Sequence, residues 1–140
     1  MQNYAQDQYV ENQIMTADGG KLVVLLYEGA IQFLNKARDG INESNIEQRS
    51  NNIMWALDII DELRNSLSLS EGGEIAKSLN SLYLFMQKHL ISANIKSSAQ
   101  MIQDVLNMLL SLKEAWEEVA SNPEIDRPTF DSAPTTGISV

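Results

Sequence analysis

Carboxylates at helical spacing and a single histidine are the side chains of this sequence that could carry out chemistry. Asp58, Asp61 and Glu62 follow an i, i+3, i+4 spacing, so three carboxylates on one helix face could bind a hard cation. A di-metal carboxylate site would also need two histidines, each three residues after a glutamate. His89 is the only histidine, and Met86 stands three residues before it. The sequence therefore favours a solvated acidic face over a metal site.

Other reaction centres lack the residues that they need. The chain has no cysteine, which excludes disulfides and thiolate metal sites. No glycine-rich turn follows a strand, and His89 fits better as a cation at the negative end of a helix dipole than as a catalytic base. We therefore expect no enzyme activity, no catalytic residue and no cofactor. A metalloenzyme built on carboxylates is the least favoured alternative.

Charge and hydropathy limit the partners of the chain. The formal net charge is -9 and the sequence pI is about 4.4, so nucleic acid and anionic lipid surfaces repel the protein on average. We find no signal peptide and no apolar run of about 18 residues. These features predict a cytoplasmic protein of one domain, with no nucleic acid partner and no membrane insertion.

Four segments carry apolar residues at the spacing of long helices. The first runs from capping oxygens at Thr16 or Asp18 to about Asn42. Ser44 and Ser97 each open a capping box, and these boxes predict the starts of the second and fourth helices. The second helix is expected to end within 68–70 and the third near residue 94.

Short connections force consecutive helices to run antiparallel. No segment alternates with a period of two, so no strand is expected. The sequence predicts an all-α, up-down-up-down four-helix bundle over 16–120, an N-terminal segment over 1–15 that could hold a short extra helix, and a disordered tail over 121–140. The N-terminal segment is either a frayed terminus or a piece that docks onto the bundle.

The first helix is apolar on two faces. One stripe includes Leu22, Leu25 and Phe33, and a second line consists of Val24, Tyr27, Ile31 and Leu34. Gly29 predicts that a neighbouring backbone passes close to this helix. Further apolar residues off the expected stripes are Trp55, Leu84 and Phe85. The surplus is either a wide core stripe or a groove for the amphipathic helix of a partner.

The chain resembles the flagellar secretion chaperones of the FliS family from about Tyr9 to Ala120. Each landmark is weak alone, but the series follows the order and spacing of the family. The landmarks are Tyr9, Asn12, Ile14, Thr16 and Ala17, Leu26-Tyr27-Glu28-Gly29-Ala30, Asn52 with Ala56, Ile59-Ile60-Asp61-Glu62-Leu63, Gly72-Gly73-Glu74-Ile75-Ala76, Leu82-Tyr83, Leu90, Ala93-Asn94-Ile95 and Leu112-Lys113-Glu114-Ala115-Trp116.

The resemblance implies a client and a site for it. Members of this family bind the disordered C-terminal segment of flagellin in the cytosol, prevent its premature polymerisation and support its secretion by the flagellar type III apparatus. An N-terminal lid of Tyr9, Asn12 and Ile14 is implied to cover the client groove when the client is absent. The implied groove residues are Val24, Tyr27, Ile31, Leu34, Tyr83 and Leu90.

The sequence leaves further partners, the oligomeric state and an alternative function open. Other flagellar regulators or components of the export apparatus are further candidate partners, and the protein is expected to be a monomer or a weak homodimer. The alternative function is a helical-bundle adaptor or homo-oligomeric assembly protein that has no unfolded client.

Overall fold

The computed structural model describes residues 19–67 and 72–121, which form four helices. Within these residues there is no helix that is long and apolar enough to cross a membrane. The predicted lid, the caps at Thr16 and Asp18 and the predicted tail beyond Ser121 lie outside the described residues. The helices are α1 (Gly19–Asn42), α2 (Ile46–Asn65), α3 (Gly73–Lys96) and α4 (Ala99–Ser121).

The helices pack as a ring in which the backbone of each helix lies close to two neighbours. α1 packs against α2 and α4, and α3 packs against the same two helices from the other side. The contact of α1 with α2 is the most extensive, and that of α3 with α4 is the smallest. The prediction of an all-α four-helix bundle is therefore confirmed, and α3 is the helix least held by its neighbours.

The buried face of α1 lies between the two apolar lines that the sequence shows. Leu22 and Leu25 are only partly buried, as are Val24 and Ile31 on the opposite flank. One i, i+3, i+4, i+7 series runs between these flanks and fills the core. Its members are Val23, Leu26, Tyr27, Ala30, Phe33, Leu34 and Ala37.

Both helix connections at one end of the bundle are Schellman turns, which corrects the two predicted capping boxes. Ser44 and Ser97 have φ angles of 56° and 51°, so each takes the left-handed position after a helix. The amide of the next residue bonds back to the carbonyl five positions earlier, from Asn45 to Gly40 at 2.7 Å and from Ser98 to Ala93 at 3.0 Å. The helix caps are therefore Asn45, which accepts from the Gln48 amide at 3.0 Å, and Ser98, which accepts from the Met101 amide at 3.1 Å.

The close backbone approach predicted at Gly29 occurs instead at Gly40. A Cβ atom at Gly40 would lie 2.8 Å from the backbone nitrogen of Arg49 and 3.1 Å from the carbonyl oxygen of Asn45. At Gly29 the nearest atom to such a Cβ would be the side-chain Cδ1 of Ile59, at 3.0 Å. The prediction for Gly29 is wrong because a flexible side chain, not a backbone, fills the space there.

Arg49 connects the two Schellman turns. Its guanidinium group donates to Asn94 Oδ1 at 2.8 Å and to Ser97 Oγ at 2.7 Å. Asn94 Oδ1 also accepts from Ser50 Oγ at 3.2 Å. One side chain of α2 thus holds the end of α3, and this end of the bundle is fixed by polar contacts as well as by its core.

Candidate binding surface

Three buried aromatic residues from three helices form a hydrogen-bonded chain. The hydroxyl of Tyr27 on α1 lies 2.5 Å from the hydroxyl of Tyr83 on α3, and it accepts from Nε1 of Trp116 on α4 at 3.1 Å. The two tyrosine rings are tilted by 48° with their centroids 6.5 Å apart. Both tyrosines have no exposed surface. Their polar groups are therefore satisfied inside the bundle, and they fix how these three helices face one another.

The hydroxyl groups of Tyr27 and Tyr83 keep their protons at neutral pH. Burial raises the pKa of Tyr27 to about 12, although the hydrogen bonds with Tyr83 and Trp116 oppose the shift. Burial also raises the pKa of Tyr83, and the nearby Tyr27 adds to that effect. Neither hydroxyl is prepared to act as a base, so the arrangement suits packing and not proton transfer.

Four of the six residues predicted to line a groove lie inside the core. Tyr27, Leu34, Tyr83 and Leu90 have no exposed surface, so they do not line an open groove in this structure. The prediction is corrected because the wide apolar face of α1 is buried by α2, α3 and α4 together. The remaining two, Val24 and Ile31, pack at the edge of the core and are partly exposed.

The other apolar residues that lie outside the predicted stripes differ in how deeply they are buried. Trp55 packs at the core edge, with its ring tilted by 51° to that of Phe33 at a centroid distance of 5.5 Å. Leu84 is partly buried. Phe85 is half exposed, at 49%. The additional apolar residues of α1 and α2 thus pack at the edge of the core, whereas some of those on α3 stay on the surface.

The exposed apolar surface of the described residues is concentrated on α3. Ile75, Phe85, Ile91 and Ile95 have 54%, 49%, 50% and 80% of their surface exposed. They make up most of the large apolar side chains that stand out from the bundle. Burying such groups against a partner is favourable by about 25 cal/mol per Å² of apolar surface removed from water. α3 is therefore the helix that offers most to an apolar partner.

Apolar residues follow both helices along the line where α3 meets α4. His89 Nε2 on α3 lies 3.0 Å from Asp104 Oδ2 on α4, and this pair fixes which faces of the two helices meet. Phe85, Leu82 and Ile75 lie on the same face of α3 as His89, nearer to the start of the helix. Met108 and Leu112 lie on the same face of α4 as Asp104, four and eight residues after it. We call the surface formed by Ile75, Leu82, Phe85, Met108 and Leu112 the α3/α4 groove.

Part of this surface packs against the core, and one end of it holds a depression. Leu82, Met108 and Leu112 are partly buried and pack against the core. An open depression of about 280 Å³ lies along the first turns of α3, lined by Glu74, Ile75, Ser78, Leu79 and Leu82. At the other end the Phe85 ring stacks on His89, with an interplanar angle of 22° and a centroid distance of 5.1 Å.

Hydrogen bonding favours the charged form of Asp104, which lies beyond Phe85 at the end of this surface. The bonds from Gln100 and His89 lower the pKa of Asp104 below its ordinary value. Asp104 therefore stays ionised at neutral pH and holds the imidazole ring against α4. Among residues 19–67 and 72–121, no group of three or more histidine, aspartate or glutamate residues is placed to hold a metal ion.

Comparison with known proteins gives the family of the chain. The family model described as Flagellar protein FliS matches residues 1–123. The chain belongs to the FliS family. This confirms the resemblance that the landmark residues indicated, and the match spans all four helices as well as the residues before α1.

Curated members of the FliS family align over most of their length. The flagellar secretion chaperone FliS of Vibrio cholerae is 37% identical over 110 residues, which cover 79% of this chain and 81% of the relative. That of Campylobacter jejuni is 35% identical over 123 residues, or 88% and 96% of the two chains. That of Bacillus subtilis is 29% identical over 119 residues, or 85% and 88%.

The sequence of this FliS family member predicted an apolar surface outside the core, but it did not predict that this surface lies on α3. Phe85 is among the apolar residues that the sequence places off the expected stripes, whereas Ile75 stands in the sequence only as a family landmark. Ile91 and Ile95 could have indicated an exposed apolar surface on α3, because they lie on a flank of the helix outside the stripe of Tyr83, Met86 and Leu90. Together with the apolar residues on the other flank, these two residues make α3 apolar around most of its circumference, as α1 also is.

Proposed function

We propose that this protein is a cytoplasmic export chaperone for flagellin. In this proposal the disordered C-terminal segment of flagellin becomes helical and lays its apolar face in the α3/α4 groove. The observation that carries the proposal is the half exposure of Phe85 and Ile75 beside a helix pair with little mutual contact. The names of the curated relatives, which are flagellar secretion chaperones, support the same role.

The physical requirements of such a role are modest. A chaperone that holds a segment unfolded for export needs apolar area and a dissociation rate under control, and it needs no reaction centre. Covering the apolar side chains of the segment would prevent premature polymerisation before secretion by the flagellar type III apparatus. The groove offers area without deep pockets, which suits a client that must later leave.

Calorimetry with the C-terminal segment of flagellin tests the proposal. We expect saturable binding, a negative heat-capacity change from apolar burial, and a gain of helix content measured by circular dichroism. Phe85→Asp should weaken binding by about tenfold or more, because it places a charge in the groove.

Ile95→Asp is the matched control for Phe85→Asp. It introduces the same residue on the same helix, at an exposed position outside the groove. Equal loss of affinity in both variants would contradict the placement of the client in the groove. Absence of binding by the unmodified protein at tens of micromolar would contradict the function itself and favour an adaptor or assembly role without an unfolded client.

The N-terminal lid remains part of the proposal. Tyr9, Asn12 and Ile14 would compete with the client for an apolar surface of the bundle. Deletion of residues 1–14 should then tighten client binding, because the competing intramolecular contact is removed. Titrations of the full-length and shortened proteins with the same segment give the comparison, and an unchanged dissociation constant would show that the segment does not act as a lid.

A further inference from the structure

Phe85 is the exposed aromatic ring of the proposed client site, and His89 lies one turn after it on α3. The two rings are nearly parallel, with an interplanar angle of 22° and a centroid distance of 5.1 Å. Phe85 is 49% exposed, whereas the side chain of His89 is only 20% exposed. The imidazole therefore supports one side of the Phe85 ring and leaves the rest of that ring open to a partner.

A second helix anchors the imidazole. His89 Nε2 lies 3.0 Å from Oδ2 of Asp104 on α4, and Oδ1 of the same carboxylate accepts from Gln100 Nε2 at 2.9 Å. An ionised carboxylate has acceptor sites only, so His89 Nε2 carries the proton of its bond with Asp104. This bond fixes the orientation of the ring as well as the nitrogen that donates.

The contacts form a line of support that runs from α4 to the exposed ring. Gln100 orients Asp104, Asp104 orients His89, and His89 stacks on Phe85. A phenylalanine side chain at a surface otherwise samples several rotamers, and ordering such a side chain during binding costs conformational entropy. A ring that is already held in place avoids part of this cost when a partner binds.

We infer that His89 is a positioning residue of the proposed client site. The inference rests on the proposed function, because it concerns how Phe85 receives the apolar face of the flagellin segment. His89 and Asp104 together hold Phe85 in the orientation that the client meets, so this ring is ordered before the client arrives. Loss of His89 therefore weakens client binding even though Phe85 itself is still present.

NMR of the untagged protein without client tests the anchor. His89 is the only histidine of the chain, so the signals of its ring nitrogens need no assignment among residues. We expect a resolved proton signal on Nε2 at neutral pH, because the bond to Asp104 slows exchange of this proton with water. Asp104→Ala should remove the signal, since the proton then exchanges freely. A signal that persists in Asp104→Ala would overturn the inference.

Calorimetry with the C-terminal segment of flagellin tests the effect on the client. His89→Ala should raise the dissociation constant by about three- to tenfold, which is the cost of ordering one further side chain on binding. His89→Gln keeps a donor for Asp104 but has no ring to stack, so it should lose as much affinity. Lys88→Ala is the matched control, because it truncates the neighbouring exposed side chain of α3 and should leave the constant unchanged.

A double-variant cycle shows whether His89 acts through Phe85. In a Phe85→Ala background the ring to be held is absent, so the addition of His89→Ala should cause no further loss of affinity. Equal losses in both backgrounds, or full affinity of the His89→Ala or His89→Gln variant, would overturn the inference and leave the proposed function standing. Absence of binding by the unmodified protein would overturn the proposed function, and this inference with it.

Discussion

Tyr27→Phe should destabilise the protein by about 2–4 kcal/mol, although it removes a single oxygen atom. The hydroxyl of Tyr27 stands between two buried groups, since it accepts from Trp116 and shares a hydrogen bond with Tyr83. The change removes the hydrogen-bond acceptor of Trp116 and the hydrogen-bond partner of Tyr83, and both of these residues are buried away from bulk solvent. Urea unfolding followed by circular dichroism measures the free energy.

Two companion variants identify the cause of the effect. Tyr83→Phe removes only the outer hydrogen bond, so it should cost about 1 kcal/mol. The double variant Tyr27→Phe/Tyr83→Phe should be less destabilised than the sum of the single changes, because the hydroxyl that loses its partner is also removed. A Tyr27→Phe protein as stable as the unmodified one would show that the chain of hydrogen bonds does not hold these helices.

Alkaline unfolding gives an independent readout of the same residue. Burial raises the pKa of Tyr27 from 10.0 to about 12, so the folded state keeps a proton that the unfolded state releases. This contribution to stability is fully present below pH 10 and is lost as the pH rises through 12. Replacing the tyrosines with phenylalanine should flatten the decline of stability over that interval.

Gly40→Ala should destabilise the protein by about 2 kcal/mol. A methyl group at this position meets backbone atoms of Arg49 and Asn45, at 2.8 Å and 3.1 Å, and these atoms cannot rotate away as a side chain can. The turn between α1 and α2 must open, which strains the bond from the Asn45 amide to the Gly40 carbonyl. This exceeds the gain of about 1 kcal/mol that alanine normally brings to a helix.

Gly29→Ala is the matched control on the same helix. There the added methyl group meets only Ile59 Cδ1, which can move aside, so the helix preference of alanine and the contact should nearly cancel. Denaturant midpoints at equal slope compare the two variants. Equal stability of both would contradict the close backbone approach at Gly40.

The sequence alone predicted the four helices and their order because each has a clear apolar period. It did not predict the rotation of α1, since Val24 and Ile31 on one flank are as apolar as Leu22 and Leu25 on the other. Periodicity identifies a buried stripe only where the opposite face is polar. The two apolar faces agreed with the groove that the family resemblance implied for Tyr27 and Leu34, but both residues are in the core.

The helix starts were predicted one residue early for a local reason. Ser44 and Ser97 are ordinary capping residues in ordinary capping patterns, but each has a left-handed backbone that completes the preceding helix. Glycine usually marks that position, and serine there gives no signal. The placement of the α3/α4 groove could not be predicted because it depends on which two helices make the smallest contact, a property of packing and not of spacing.

The polar contacts of the bundle are distributed unevenly along its length. At one end the Arg49 side chain on α2 fastens the Schellman turn that ends α3, whereas at the other end α3 begins after Gly72, which provides no side-chain cap. The free energy of local opening is therefore lower at the start of α3 than at its end. We therefore expect amide exchange to be faster in the first turns of α3 than at the turn around Ser97, and under the proposed function a client would enter at that first end without global unfolding.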